Sequence, residues 1–452
     1  MRFMNIPLIL LAVCVLALLF VGCTHNRPHR TVFGPIAPGQ GGADYTKAVI
    51  ERTSDYTLGF VEFDEQGWFW DRRQVDAVEG MIRTEAGIGQ SNGAPGIVIL
   101  VFVHGWKNNA AYDNANVEMF RTTLTNLDKA EHSESRLEGR AARKIVGVYG
   151  GWRGLSAKLE PAKELSFWER KNTAEKVGHG AVTELLVDLE NLQKEANNRM
   201  ITSNAPRTDL IIVGHSFGGG AVYSAISQIV TERLVDTVKH NRSLKPLGDL
   251  VILLNPAIEA SRHYTLNELA VSITNYPASQ RPVMGIFTSE GDWATHYFFP
   301  MGRFFSTVFE KNRHDKPQRA ANLETIGWFT PFITHSLVYD TNDVAGATRQ
   351  STYNAQTQKH EFHDKNKLDN SSRNVRAQRQ KWHPNATTPA VYTFDECDLS
   401  PKDTYRPGDP FLIVSVDKKI MKDHDDITNP ILLNFLREFI YFCHTNPQKG
   451  SE

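Results

Sequence analysis

Apolar and polar residues alternate in two rhythms between about Tyr56 and Asp292. Short unbroken apolar runs rich in β-branched residues mark strands buried on both faces: Ile97–Val103, KIVGVYGGW from Lys144, Leu210–Val213, Leu250–Leu254 and Pro282–Thr288. Between them the spacing turns helical. Gln74–Thr84 reads as an amphipathic helix, and Asn116–Leu127 places Val117, Phe120, Leu124 and Leu127 on one face. A longer helix from about Thr173 to Asn197 repeats Val182, Leu185, Leu186, Leu189 and Leu192. Strands alternating with helices predict an α/β fold with a doubly wound, mostly parallel sheet. Ahead of them, YTLGFVEFDEQGWFWD from Tyr56 adds one or two strands about a turn at Gln66-Gly67.

The rhythm fails at both ends of this stretch. From Trp293 to Asp409 the alternation stops, which predicts a large insertion before the last strand. Its aromatic runs, Tyr297–Phe305 and Ile326–Ile333, could roof a pocket, touch lipid or simply form the core of the insertion. Its polar part, roughly Thr341–Asn385, reads as a mobile excursion. The core resumes at Pro410 with FLIVSVDKKI and a helix over Pro430–Cys443. The expected division is a leader over 1–22, a tether over 23–55, a core over 56–292 and 410–446, and an insertion or cap over 293–409. The tether is assigned because Thr24–Tyr56 is rich in Gly, Pro, His and Arg and lacks periodicity.

Candidate chemistry centres on TDLIIVGHSFGGGAVYSAISQIV, from Thr208. A strand breaks at Gly214, and after Ser216 a helix begins that runs to about Lys239. Between them stands Gly214-His215-Ser216-Phe217-Gly218, a G-x-S-x-G nucleophile elbow. A turn this sharp leaves no room for side chains two residues either side of the serine, and glycines remove the clash. The helix N-terminus then points its amides at the spot where negative charge would develop.

A serine hydroxyl needs a base, and the base an orienting carboxylate. In an open parallel sheet, ligands sit outside the carboxyl ends of the strands, so both partners should follow strands. Of the 16 histidines, His424 meets that rule best, lying between the last strand and the last helix. His296 and His335 are the runners-up; His215, next to the serine, should point elsewhere. For the acid, Asp292 in GDWAT is favoured, with Glu290 as the alternative, whereas Asp249 precedes its strand. Oxyanion donors are expected from the main-chain N–H of Phe217 and from Trp106 in the His104-Gly105-Trp106 loop. The acidic cluster Asp423, Asp425 and Asp426 lacks the glycine turn and distal glutamate of a calcium loop and reads as solvated.

The HGW loop, the GHSFGG elbow, GDWAT after a strand and the late histidine resemble the α/β-hydrolase superfamily of esterases and lipases. The resemblance covers about Tyr56–Asp292 and Pro410–Cys443. It implies ester hydrolysis through an acyl-enzyme, with Ser216 attacking, His424 relaying the proton and Asp292 holding the imidazole. It implies no metal and no organic cofactor. The chain departs from the superfamily in the size and place of its insertion, and caps shape substrate pockets.

Composition narrows the rest. Net charge is −1 over 452 residues, and no basic stripe lies beside aromatic platforms, so nucleic acid is not an expected partner. The apolar run Leu8–Val21 suits the h-region of a secretory signal. Ending F-V-G-C, it resembles a bacterial lipoprotein signal, in which Cys23 would be lipidated and would anchor an exported protein on the periplasmic side of the cell envelope. Arg27 and Arg30, with His25 and His29, could meet anionic headgroups or serve as a soluble tether. Of the four cysteines, Cys397 and Cys443 could pair as a disulfide in an oxidising compartment or stay as free thiols. Two functions follow: a membrane-tethered serine hydrolase acting on small-molecule or lipid esters, or a non-catalytic, hydrolase-like binding or scaffold lipoprotein.

Overall fold

The computed structural model describes residues 26–36, 42–89, 96–155, 162–198, 206–312, 316–340, 353–354, 359–360, 365–383 and 389–443. The apolar leader and Cys23 lie outside them. Among the described residues no helix is long and apolar enough to cross a membrane.

The described residues hold fourteen strands in chain order: β1 (Val32–Ile36), β2 (Ala48–Arg52), β3 (Tyr56–Phe63), β4 (Ile97–Val103), β5 (Lys144–Trp152), β6 (Asp209–His215) and β7 (Leu250–Leu254), then β8 (Met284–Ser289), β9 (His335–Tyr339), β10 (Tyr353–Asn354), β11 (Lys359–His360), β12 (Tyr392–Thr393), β13 (Cys397–Pro401) and β14 (Phe411–Val416). Twelve of them form one sheet in the order β1-β2-β3-β5-β4-β6-β7-β8-β14-β9-β13-β12. From β3 to β9 every neighbouring pair is parallel. The protein is thus a mixed α/β fold around a large, mostly parallel sheet.

Both faces of this sheet are covered, and so its central strands are apolar throughout. Ile97, Ile99, Val101 and Val103 of β4 pack into one core with the helices Arg72–Glu85, Thr183–Asn198 and Phe217–His240. Val98, Leu100 and Phe102, on the other face, meet the helices Ala115–Glu138 and Pro430–Cys443. The long helix expected over 173–197 is two helices, Ala162–Val177 and Thr183–Asn198, with a wide turn between them. Gly180 causes the break: its backbone leaves the helical region (φ −96°, ψ −122°), and a Cβ there would lie 2.2 Å from the Gly67 carbonyl.

Two expectations are corrected. The second half of the stretch read as a tether is folded: β1 and β2 extend the sheet beside β3. Arg30 is fully buried and ion-paired with Glu51 at 2.8 Å, while its guanidinium lies 3.6 Å from the Phe60 ring centre, so it cannot reach a headgroup. A short, polar segment escapes periodicity analysis because its few apolar positions, Val49 and Ile50 among them, are too sparse to show a rhythm.

The segment read as an insertion also joins the sheet. β9 pairs parallel with β14, and β13 and β12 continue antiparallel beyond it. Within the polar stretch read as a mobile excursion, a helix spans Lys365–Gln380. Its Val375 is buried against the helix Pro430–Cys443, and the indole of Trp382 just beyond it donates to the Gln280 carbonyl at 2.8 Å. Widely spaced apolar residues, not a continuous stripe, hold this part down.

The disulfide is a further correction. Cys397 on β13 and Cys443 at the end of the last helix are free, buried thiols. Each fills core space as a small apolar side chain, and burial pushes both thiols well above their ordinary titration range.

Candidate active site

β6 ends between β4 and β7, near the middle of the parallel block. Chain direction reverses there within one residue, Ser216, whose φ of 55° and ψ of −122° lie outside the regions open to ordinary residues. Such a conformation costs about 1–3 kcal/mol and persists only where its surroundings dictate it. Here the Ser216 N–H donates to Leu254 O at 3.0 Å, and the Ser216 carbonyl accepts from Gly220 and Ala257 at 3.1 Å each. The flanking glycines are required by contact. A Cβ on Gly218 would sit 2.1 Å from the Val103 carbonyl, and one on Gly214 would sit 2.8 Å from the Gly218 carbonyl.

Three side chains from three strand ends meet at this turn. Ser216 Oγ donates to His424 Nε2 at 2.8 Å, and His424 Nδ1 donates to Asp292 Oδ2 at 2.9 Å. Asp292 also accepts the Thr295 N–H at 3.0 Å and the Thr295 hydroxyl. That hydroxyl in turn accepts from the Trp328 indole at 3.1 Å. The carboxylate is fully buried, and every contact to it is a donor.

Electrostatics follow from these contacts. Burial works against ionisation of Asp292, but the His424 ring and the Thr295 donors outweigh it and hold the carboxyl below its ordinary value. Burial likewise opposes protonation of His424, yet Asp292, with Asp425 and Asp423, holds the imidazole above its ordinary value. An imidazole so placed can take a proton from the serine and stabilise the resulting charge.

Sequence reasoning missed the groups that fix the His424 loop. Asn255, one residue past β7, is buried at a φ of 43° and donates to His424 O at 2.9 Å. Its side-chain oxygen accepts from Ser289 N at 2.8 Å, tying the ends of β7 and β8 to the same loop. His215 Nε2 donates to the same His424 carbonyl at 2.9 Å. Burial, then the neighbouring His424, pushes His215 down to about 4, so its ring is neutral at pH 7. The signal available in the sequence was position alone: Asn255 follows a strand, as the candidate base and acid do.

The loop after β4 lies against the serine. A Cβ on Gly105 would come 2.7 Å from Ser216 Cβ and 3.0 Å from His215 O. His104 shapes that loop: its Nε2 accepts from Trp152 N at 3.0 Å, its carbonyl accepts the Trp152 indole at 2.9 Å, and its ring stacks on that indole. Burial lowers His104 to about 4, consistent with a neutral ring that accepts at Nε2. Lys107 then takes a φ of 68° and donates its N–H to Gly154 O at 3.0 Å, turning the chain beside Trp106. Phe217 opens the helix, and amides of a first turn have no intrahelical acceptor. Trp106, Phe217 and Phe298 all pack on Phe167, at ring separations of 5.3, 4.6 and 4.8 Å.

The other candidates stand elsewhere. Glu290 accepts from the Ser415 hydroxyl at 3.1 Å. His296 stacks on Trp328 at 3.7 Å, and His335 is buried against Tyr405. Asp423 and Asp426 accept main-chain N–H groups from Asp425 and Lys422 and so shape the loop that carries His424. Ligand atoms of His215, His424 and Asp425 lie within 4.8 Å of one another, but both ring nitrogens of His424 are already engaged by Ser216 and Asp292.

No family model matches the chain, and no curated protein matches it. Among solved structures, a Trichoderma reesei cutinase in complex with a C11Y4 phosphonate inhibitor is similar at 14% identity and a TM-score of 0.15. That similarity covers 41% of this chain and 65% of the cutinase, less than two thirds of its length. So distant a likeness is no basis for assigning an activity, and what the chain displays on its own is a mixed α/β fold with a serine, a histidine and an aspartate joined at the carboxyl edge of its sheet.

Proposed function

We propose that the protein is a serine hydrolase of the α/β-hydrolase type, cleaving carboxylic esters through an acyl-enzyme on Ser216. The observation that carries this reading is the continuous hydrogen-bond chain from Ser216 through His424 to Asp292. As Ser216 Oγ bonds to the ester carbonyl carbon, its proton passes to His424 Nε2, and Asp292 stabilises the imidazolium. Collapse of the tetrahedral intermediate breaks the bond to the alcohol, which leaves with the proton from His424. Water, deprotonated by the same imidazole, then attacks the acyl-enzyme, releasing the acid and restoring Ser216.

The oxyanion is assigned to the main-chain N–H groups of Phe217 and Trp106. Each such donor lowers the barrier by about 2.7–4 kcal/mol. The closeness of Gly105 to Ser216 supports this, because only a glycine lets that backbone approach the reacting carbon. Trp106, Phe167, Phe217 and Phe298 are the side chains best placed to receive an apolar acyl or alcohol group.

Hydrolysis of p-nitrophenyl esters of increasing acyl length tests the reading. Turnover abolished by Ser216→Ala and by His424→Ala, with both variants folded, is expected; undiminished turnover in either would refute it. We also propose that the chain is exported and anchored through Cys23, on the strength of the leader sequence; mass spectrometry of the mature N-terminus decides it.

A further inference from the structure

Half of the exposed large apolar side chains among the described residues fall within 293–309: Trp293, Tyr297, Met301, Phe304, Phe305, Val308 and Phe309. Phe309 is 96% exposed and Phe305 71%. The helical stretch Ala294–Ser306 carries most of them, and Trp293, Tyr297, Met301 and Phe305 recur every fourth residue along one side. Its opposite side is already packed. Phe299 is buried against Trp168, Phe298 rests on Phe167, and a Cβ on Gly302 would overlap the Trp168 ring at 1.9 Å. The exposed stripe is therefore an outer surface and not a misplaced core. A contiguous apolar patch of this kind marks an interaction site.

Position says what covers it. The stripe begins one residue after Asp292, and Phe298 connects through Phe167 to Phe217, the residue after Ser216. The described chain enters at this same edge of the sheet. Asn26 and Arg27 line a cleft of about 220 Å³ together with Lys107, Asn108 and Asn109 of the loop that carries Trp106. The main-chain N–H groups of His29 and Arg30 are held by Glu62, near the carboxyl end of β3. Asn26 follows Cys23 by three positions, a reach of about 10 Å. The proposed anchor point, Cys23, thus joins the fold on the edge that holds Ser216 and the aromatic stripe. The flanks are basic: Lys311, Lys316 and Arg319 are exposed beside the stripe.

We propose that the Trp293–Phe309 stripe docks on the surface of a phospholipid bilayer, so that the Ser216 edge faces the membrane and receives esters held in it. Tryptophan and tyrosine settle at the headgroup level, and phenylalanine reaches the acyl region. The basic flanks favour anionic lipid. The choice of membrane-held esters as substrates rests on the hydrolase reading, whereas the docking itself does not.

Deuterium exchange of the full chain tests it, with and without vesicles of equal parts dioleoyl phosphatidylcholine and phosphatidylglycerol. Peptides within 293–309 are expected to exchange about tenfold more slowly with vesicles. Peptides around Val238 should not change, since that residue lies about 33 Å along its helix from Ser216. The double variant F305D/F309D should lose this protection. It should also hydrolyse vesicle-embedded dioleoylglycerol about tenfold more slowly, or worse, yet cleave soluble p-nitrophenyl butyrate at the unaltered rate. Unchanged exchange over 293–309 in protein that floats with the vesicles would overturn the proposal. So would equal protection without lipid as protein concentration rises, which would assign the stripe to a second copy of the chain. If neither ester is hydrolysed, the hydrolase reading fails and the exchange result alone decides the docking.

Discussion

The side-chain amide of Asn255 donates to the main-chain carbonyl of His424 across 2.9 Å, tying the end of β7 to the loop that holds the imidazole. Loops after strands are free to wander, and His424 must stay within hydrogen-bond reach of two groups at once. Asn255, itself buried, restrains it at the backbone. Replacing Asn255 by aspartate turns that donor into an acceptor facing carbonyl oxygens. Asn255→Asp should lower kcat about a hundredfold with little change in KM, since a displacement of about 1 Å has that effect. Steady-state kinetics beside circular dichroism check it; unchanged kcat in a folded variant would remove Asn255 from the site.

The pH dependence follows from the carboxylates around His424. Its neutral form is the base, and Asp292 holds it protonated to a higher pH than an ordinary histidine at 6.5. The acid limb of kcat/KM should therefore have its midpoint above 6.5. Asp292→Asn removes the main attraction opposing burial, so the midpoint should move down while the rate falls about 10⁴-fold. A limb that stays in place in Asp292→Asn would assign it to another group.

Much of this arrangement could be read from the chain, for physical reasons that differ by residue. β4 and β14 are uninterrupted apolar runs because both their faces are covered, and that pattern needs no tertiary knowledge to recognise. Ser216 was legible because the clashes at Gly214 and Gly218 forbid other residues there. Asp292 and His424 could be singled out because they follow strands, and these two side chains contact each other. Asn255 was not legible, because it acts by contacts with residues distant in sequence and belongs to no motif; Thr295 lies within GDWAT, but nothing in the spacing alone assigns its N–H and hydroxyl to Asp292. Arg30 misled for a related reason. Its burial depends on Glu51 and Phe60 across the fold, and composition registers only a charge near the N-terminus.

The loop after β4 makes a steric prediction. At Gly105 an added methyl would meet Ser216 Cβ at 2.7 Å and the His215 carbonyl oxygen at 3.0 Å. One of the two must move, and either movement misplaces the serine or the Trp106 amide. Gly105→Ala should lower kcat/KM by about 10²-fold or more and stability by about 1–3 kcal/mol. Esterase assays and urea titration measure the two effects separately; full activity would show that the loop has slack.

Four buried histidines among the described residues set a limit on acid tolerance. Burial lowers His104 and His215 to about 4, and His263 and His335 to about 3. Each is neutral when folded but takes a proton on unfolding below its ordinary value of 6.5, so the unfolded chain binds more protons. Stability should therefore fall as pH drops from 6.5 towards 4, by about 1.4 kcal/mol per pH unit for each histidine. His424 runs the other way: its contribution is present below 6.5 and is lost as pH rises through its folded value. Urea midpoints across this range check the balance, and a flat profile from pH 7 to pH 4 would contradict the neutral assignments.

The most direct test of the Ser216 assignment is peptide mapping after treatment with a fluorophosphonate, which bonds covalently to a serine activated by a neighbouring imidazole. A single adduct on the peptide containing Gly-His-Ser216-Phe-Gly, lost in His424→Ala, is the predicted result. A folded protein that takes up no label, or takes it up on another residue, would contradict the account.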